Sequence, residues 1–305
     1  MQKLIERAVA EVGTVLLGKE MQVRMAICCL LSKGHLLIED LPGMGKTTLS
    51  NALARVMGLE YNRVQFTSDL LPADILGVSI FNRETTEFEF IPGPIFTQVL
   101  LADEINRTTP KSQSALLEAM EEGQVTIEGK TRELPAPFFV IATQNPSTQS
   151  GTYPLPESQL DRFLMRLSLG YPDRAAERKL LIGDDTKKRL LTLQNVISKH
   201  ELIAIQKAVE DVHCSDGLLD YVQRIIELTR NSSDYAFGLS PRGALALLNC
   251  AKTWAFMAGR GHVVPEDVQI VLPSVVEHRL STSLDYRSDN AGLSQRLLEQ
   301  VDVLV

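Results

Sequence analysis

Residues 37–49, LIEDLPGMGKTTL, constrain this chain more than any other stretch. A short apolar segment runs into a turn holding Gly43 and Gly45, and Lys46-Thr47 then open a segment of helical pattern. Glycines let the backbone turn left-handed, so that successive N–H groups aim at one point. The first helical turn adds partial positive charge at the same place. Such an anion nest suits a nucleotide polyphosphate. Pro42, Gly43, Met44, Gly45, Lys46, Thr47 and Thr48 are the candidates to wrap it. Lys46 would reach the β- and γ-phosphates of ATP, and the Thr47 hydroxyl would hold Mg²⁺. The pattern GxxxxGK[ST] is broken once, because Asp40 stands where its first glycine belongs. Asp40 is kept among the binding candidates.

A second signal lies downstream. The apolar run Val99-Leu100-Leu101-Ala102 ends in Asp103-Glu104. In an open parallel sheet, ligands bind beyond the carboxyl ends of the strands, so both acids are expected beside the phosphate turn. Asp103 would bind Mg²⁺ or its water, and Glu104 would orient or deprotonate an attacking water. Two acids after a strand also serve as a helix cap and first turn. With a phosphate turn upstream, the catalytic reading is favoured.

Apolar strand candidates at 35–39, 61–66, 98–102, 138–142 and 166–169 alternate with helical patterns at 46–57 and 110–122. That alternation predicts an α/β fold with a five-stranded parallel sheet between helices. Two further segments, VSIFN with FEFIP and QVTIEGKTREL turning at Gly129, predict hairpins. After Tyr171-Pro172 the strand signals disappear. Helical patterns at 173–182, 199–213, 217–230, 240–258 and 265–277 predict a small all-α second domain. The expected division is a core over 1–175 with hairpin inserts at about 68–96 and 123–136, a charged linker over 176–198, and a helical lid over 199–305.

Composition narrows the function class. Hydrophobic residues are 44% and charged residues 23% of 305, values that suit a globular protein with a sizeable core. The net charge of −7 leans against nucleic acid as the main partner. No apolar run approaches the ~18 residues that span a bilayer. The N-terminal stretch carries acids and lacks the apolar centre of a secretory signal. Cys28, Cys29, Cys214 and Cys250 form no CxxC pair or zinc spacing, and read as small hydrophobes in a reducing compartment. His35, His200, His213, His262 and His278 show no ligand spacing. A cytoplasmic protein is expected.

Eight segments in order, LLIEDLPGMGKTT, SDLLPADILG, GPIF, LLADEINR, ALLEAMEEGQVTIEG, IATQNP, GTYPLPESQLDRF and SPRGALAL, resemble the MoxR family of AAA+ ATPases over residues 18–280. The resemblance implies a P-loop AAA+ core and lid that use ATP and Mg²⁺. It makes Asn145 the first sensor, whose amide would meet both the γ-phosphate and the attacking water. It makes Arg162 an arginine finger supplied to a neighbouring subunit, and Arg242 a second sensor reaching from the lid to the γ-phosphate. Arg166 and Arg107 are weaker candidates for contacts between subunits. Leu17 and Gly18, next to Leu16, match a linker that packs on adenine. The two hairpins match inserts that line or cap a ring's pore, although Phe81, Phe88 and Phe90 also fit plain hairpin packing.

The resemblance further implies a ring, most simply a hexamer, that remodels or matures a protein client, often one with a von Willebrand A domain. Two other readings stand beside it. One is a nucleotide-gated scaffold with negligible turnover. The other is a nucleic-acid motor, for which only Lys130 and Arg132 on the second hairpin speak.

Overall fold

The computed structural model describes residues 1–146, 151–182, 186–282 and 292–303. The chain starts with helices α1 (Gln2–Gly13) and α2 (Glu20–Leu31), then strand β1 (Leu36–Glu39) and helix α3 (Lys46–Val56). Strand β2 (Tyr61–Gln65) leads through the short helix α4 (Pro72–Leu76) into a hairpin of β3 (Gly77–Asn82) and β4 (Glu87–Pro92). Strand β5 (Val99–Asp103), helix α5 (Pro110–Glu122), a hairpin of β6 (Gln124–Ile127) and β7 (Lys130–Glu133), and strand β8 (Phe139–Gln144) follow. The short helix α6 (Glu157–Leu160) and strand β9 (Met165–Leu167) close the α/β part.

Helices α7 (Arg174–Leu181) and α8 (Thr186–Thr192) lead to the lid. The lid holds α9 (Lys199–Glu210), α10 (Asp216–Asn231), β10 (Tyr235–Phe237), α11 (Pro241–Met257), α12 (Pro265–Val276), β11 (Ser281–Thr282) and α13 (Leu293–Gln300).

The five expected strands form one parallel sheet in the order β2-β5-β8-β1-β9. Alternating side chains split it into two apolar faces. Leu36, Ile38, Val99, Leu101, Phe139 and Ile141 pack on one side with α1, α2 and α3. Leu37, Leu100, Ala102, Val140 and Ala142 pack on the other with Leu116, Leu117 and Met120 of α5. Coverage on both faces explains why these strands read as unbroken apolar runs.

The first apolar cluster does not stop at the sheet. It continues through α2 into Leu202 and Ile205 of α9, Leu247 and Cys250 of α11, and Val271 and Leu272 of α12. Polar bonds cross the same boundary. Ser32 and Thr253 share a hydroxyl hydrogen bond of 2.7 Å, and Gln206 donates to the Leu30 carbonyl at 3.0 Å. The N-terminal helices are therefore wedged between sheet and lid.

Three features depart from the sequence pattern. The lid is not free of strands, because β10 pairs antiparallel with β11. Two or three residues per strand are too few for any periodicity to show. The charged stretch 176–198 follows the expected helix α7 with an unexpected one, α8, and the Val196 and Ile197 amides both donate to the Val56 carbonyl. Its residues 183–185 lie outside the described residues. Helix α13 has eight residues and gave no signal before it.

Candidate nucleotide site

Strands β1, β8 and β5 are neighbours, and their carboxyl ends deliver the three main signals to one edge. Helix α3 starts directly after β1, with Gly45 as its N-cap at φ 93 and Gly43 at φ 85. Both conformations are left-handed and cost L-residues strain. A Cβ on Gly43 would meet nothing within 4 Å, since the turn faces an open cleft. A Cβ on Gly45 would stand 3.0 Å from Leu16 Cδ1.

The cleft has a volume of about 610 Å³ and is lined by Pro42, Gly43, Gly45, Lys46, Thr47 and Thr48 from the turn and α3. Asp103, Glu104 and Asn145 line it from β5 and β8. Lys46 Nζ donates to the Asp40 carbonyl at 2.6 Å and to Asn145 Oδ1 at 3.2 Å. Asn145 Nδ2 in turn donates to Glu104 Oε1 at 3.0 Å. One amide thus bridges the ammonium and the carboxylate, with its orientation set by a donor on one side and an acceptor on the other. Asn106 Nδ2 holds the Asn145 carbonyl at 2.9 Å. Burial pulls the Lys46 ammonium below its ordinary value, while the carboxylates of Asp40, Asp103, Glu104 and Glu39 push it back up.

Glu104 is held in the left-handed region, at φ 58, ψ 49. A non-glycine residue there stores backbone strain of about 1–3 kcal/mol, and such strain concentrates at functional sites. The Glu104 amide donates to Thr143 Oγ1 at 2.8 Å, and Thr143 donates to Asp103 Oδ1 at 2.6 Å. Glu104 Oε2 accepts from Gln65 Nε2 at 3.0 Å and pairs with Arg107 at 3.1 Å. A hard divalent cation takes oxygen ligands and keeps few of them from protein when phosphates supply the rest. The Thr47 hydroxyl and the Asp103 carboxylate, both on this cleft, are of that kind.

Other candidates sit elsewhere. The Asp40 side chain does not line the cleft. Its Oδ2 accepts from the Leu169 and Gly170 amides, both at 2.7 Å, and from Ser168 Oγ at 3.2 Å. Its backbone is not among the positive-φ positions, so the missing glycine is not required there. Met44 packs against the apolar cluster instead of the cleft. Leu16 and Gly18 line a separate hollow of about 400 Å³ beside Val9, Ala10 and Arg24, and Leu17 lines neither. Within the N-terminal linker it is Leu16, not Leu17, that approaches the phosphate turn at Gly45.

Neither Arg162 nor Arg242 lines the cleft of its own chain. Arg162 donates to the Leu117 carbonyl at 2.7 Å and pairs with Glu121 at 2.9 Å, and Arg242 pairs with the other oxygen of the same Glu121. The two guanidiniums line one groove of about 520 Å³. Arg242, expected as a second sensor reaching from the lid to the γ-phosphate, thus does not line the cleft of its own chain. The start of α11 is fastened by Ser240 Oγ to Asp161 at 3.0 Å, away from the phosphate turn. Arg166 pairs with Glu39 at 3.0 Å.

Sequence reasoning missed the wall that β2 contributes. Arg63, Gln65, Phe66 and Thr67 line the cleft. The signal was available: β2 is parallel to β5, so its carboxyl end opens on the same edge.

The comparisons agree with this fold. Residues 35–165 match the family described as "ATPase family associated with various cellular activities (AAA)", and residues 227–300 match the "AAA lid domain". The chain is 46% identical over 280 residues to YeaC of Bacillus subtilis, covering 92% of this chain and 88% of that one. It is 40% identical over 294 residues to "Chaperone MoxR1" of Mycobacterium tuberculosis, covering 93% and 78%. A crystal structure of a protein from Cytophaga hutchinsonii, proposed to be an ATPase, superposes with a TM-score of 0.89 at 36% identity, covering 99% of this chain and 95% of that one. With the nucleotide-type cleft, the strand order and these relatives in hand, the chain belongs to the MoxR family of AAA ATPases.

Proposed function

We propose that the chain hydrolyses ATP with Mg²⁺ in the Lys46–Asp103–Glu104 cleft and uses the cycle to remodel a protein client. The observation that carries this reading is the bonded series Lys46–Asn145–Glu104. It couples the phosphate-binding cation to the carboxylate beside the attacking water through a single amide. The Gly43–Gly45 turn would cradle the phosphates, and Lys46 would offset charge on the β- and γ-oxygens. Thr47 and Asp103 would hold Mg²⁺, which when bound neutralises charge on the phosphates. Glu104 would orient the water and accept its proton, and Asn145 would keep water and γ-phosphate in register.

Arg162 and Arg242 share Glu121 and do not line their own cleft. This supports a ring, in the simplest case a hexamer, in which both arginines of one copy meet the nucleotide held by the next. The name of the Mycobacterium relative, a chaperone, supports a protein client. A von Willebrand A domain protein and a cytoplasmic setting are the client and place we infer. No helix among the described residues is long and apolar enough to cross a membrane.

The test is steady-state phosphate release by wild type and Glu104→Gln with Mg²⁺ present. Wild-type turnover that falls at least about 100-fold in the variant supports the reading, within the range for losing a positioned base. Equal rates in the two proteins would favour the nucleotide-gated scaffold.

A further inference from the structure

Asp103 already has a cation. Arg63, two residues before the end of β2, places both Nε at 3.1 Å and Nη2 at 2.7 Å on Asp103 Oδ2. The other oxygen, Oδ1, accepts from Thr143. A carboxylate oxygen has two lone-pair sites, and Oδ2 has given both to one guanidinium. A divalent cation binding at Oδ2 needs one of them, and two cations on one oxygen repel. The guanidinium is also fastened from behind, because Nη2 donates to Gln65 Oε1 at 3.1 Å. Yet the Arg63 side chain is 48% exposed against 10% for Asp103, and it lines the open cleft. It has somewhere to go.

We propose that Arg63 is a positioning residue for the metal: a resident counter-cation on Asp103 that magnesium must displace, and that sets how much magnesium the site requires. The inference rests on the reading that Asp103 helps hold Mg²⁺ with the nucleotide. A purely structural pair between adjacent strands would make a different prediction, since its loss would lower stability and leave metal affinity unmoved.

The experiment measures metal binding, not turnover. The full chain is loaded with ADP, freed of excess nucleotide and titrated with Mn²⁺ beside an ADP-only control, and free Mn²⁺ is read by electron paramagnetic resonance. Arg63→Gln is expected to reach half-occupancy at a roughly two- to fivefold lower Mn²⁺ concentration, the scale of a part-exposed ion pair. Arg63→Met keeps the aliphatic stem on the strand, guards against a variant that fails to fold, and should shift by the same factor. Arg63→Lys keeps a point charge without the planar fork and should fall between. Asp103→Asn should weaken Mn²⁺ binding by far more, toward the affinity of ADP alone. If both neutral Arg63 variants match the wild-type midpoint while Asp103→Asn weakens binding in this way, the proposal is overturned and the nucleotide reading stands. If Asp103→Asn binds Mn²⁺ like wild type, both are overturned.

Discussion

At the residue scale, the site is organised by amides and hydroxyls as much as by charges. Asn145 touches Lys46 and Glu104 at once, so Asn145→Ala removes an acceptor and a donor together. Phosphate release is expected to fall about 10- to 100-fold, with nucleotide affinity within a few-fold of wild type by calorimetry, because the phosphate turn is untouched. Asp40 gives the opposite kind of prediction. Asp40→Gly restores the glycine that the motif pattern asks for, yet strips the Leu169 and Gly170 amides of their acceptor. Urea unfolding should register a loss of about 3 kcal/mol, the scale of hydrogen bonds to a buried charged group. Lys46, Thr47, Asp103 and Glu104 were legible in the sequence because motif and strand order alone bring them to one edge. Arg63 and Gln65 were legible only as the end of a parallel strand. Their strand carries no motif, and their role exists only through register with β5.

At the element scale, the long apolar strands and amphipathic helices announced themselves, and α5 begins and ends where its pattern does. Elements whose stability comes from tertiary contact stayed silent, as with α8 against the end of α3 and the small β10–β11 pair. The start of α11 depends on Ser240, which accepts from the Gly243 amide at 3.0 Å and donates to Asp161. Ser240→Ala should cost about 1–2 kcal/mol in thermal or urea unfolding. The two hairpins are joined: the Arg132 guanidinium of β7 lies 3.8 Å from the centre of the Phe90 ring on β4, and Phe90 packs edge-on against Phe96. Phe81 and Phe88 pair with each other on the exposed side of the first hairpin. Phe90 thus does a different job from the Phe81–Phe88 pair, which no spacing rule separates. Arg132→Ala should speed amide exchange about two- to fivefold in β6–β7, the value of one cation–π contact, and leave β5 and β8 protected as before.

At the scale of the whole molecule, acid is the natural way to loosen the assembly of sheet, N-terminal helices and lid. Burial pushes His35 down to about 4, where its ring accepts from the Val140 amide at 2.9 Å and bonds the Met120 carbonyl at 3.1 Å. Burial, with the nearby Arg279, also holds His278 well below its ordinary value. A histidine kept neutral in the fold but titrating near 6.5 when unfolded stabilises the fold fully above that pH. The contribution is lost as pH falls toward 4, since the unfolded chain then binds more protons. From His35 alone the loss at pH 5 is about 2 kcal/mol, so the melting temperature should drop between pH 7 and pH 5. A His35→Gln variant should show a shallower drop. The wedge of α2 between sheet and lid has a consequence for the nascent protein. On the ribosome α2 emerges long before its partners, for Gln206 follows Leu30 by 176 residues and Cys250 follows Cys28 by 222. At roughly 5–20 residues per second, the lid-facing side of α2 waits some ten to forty seconds for its cover. Until then this apolar helix face is a place where a temporary escort would bind.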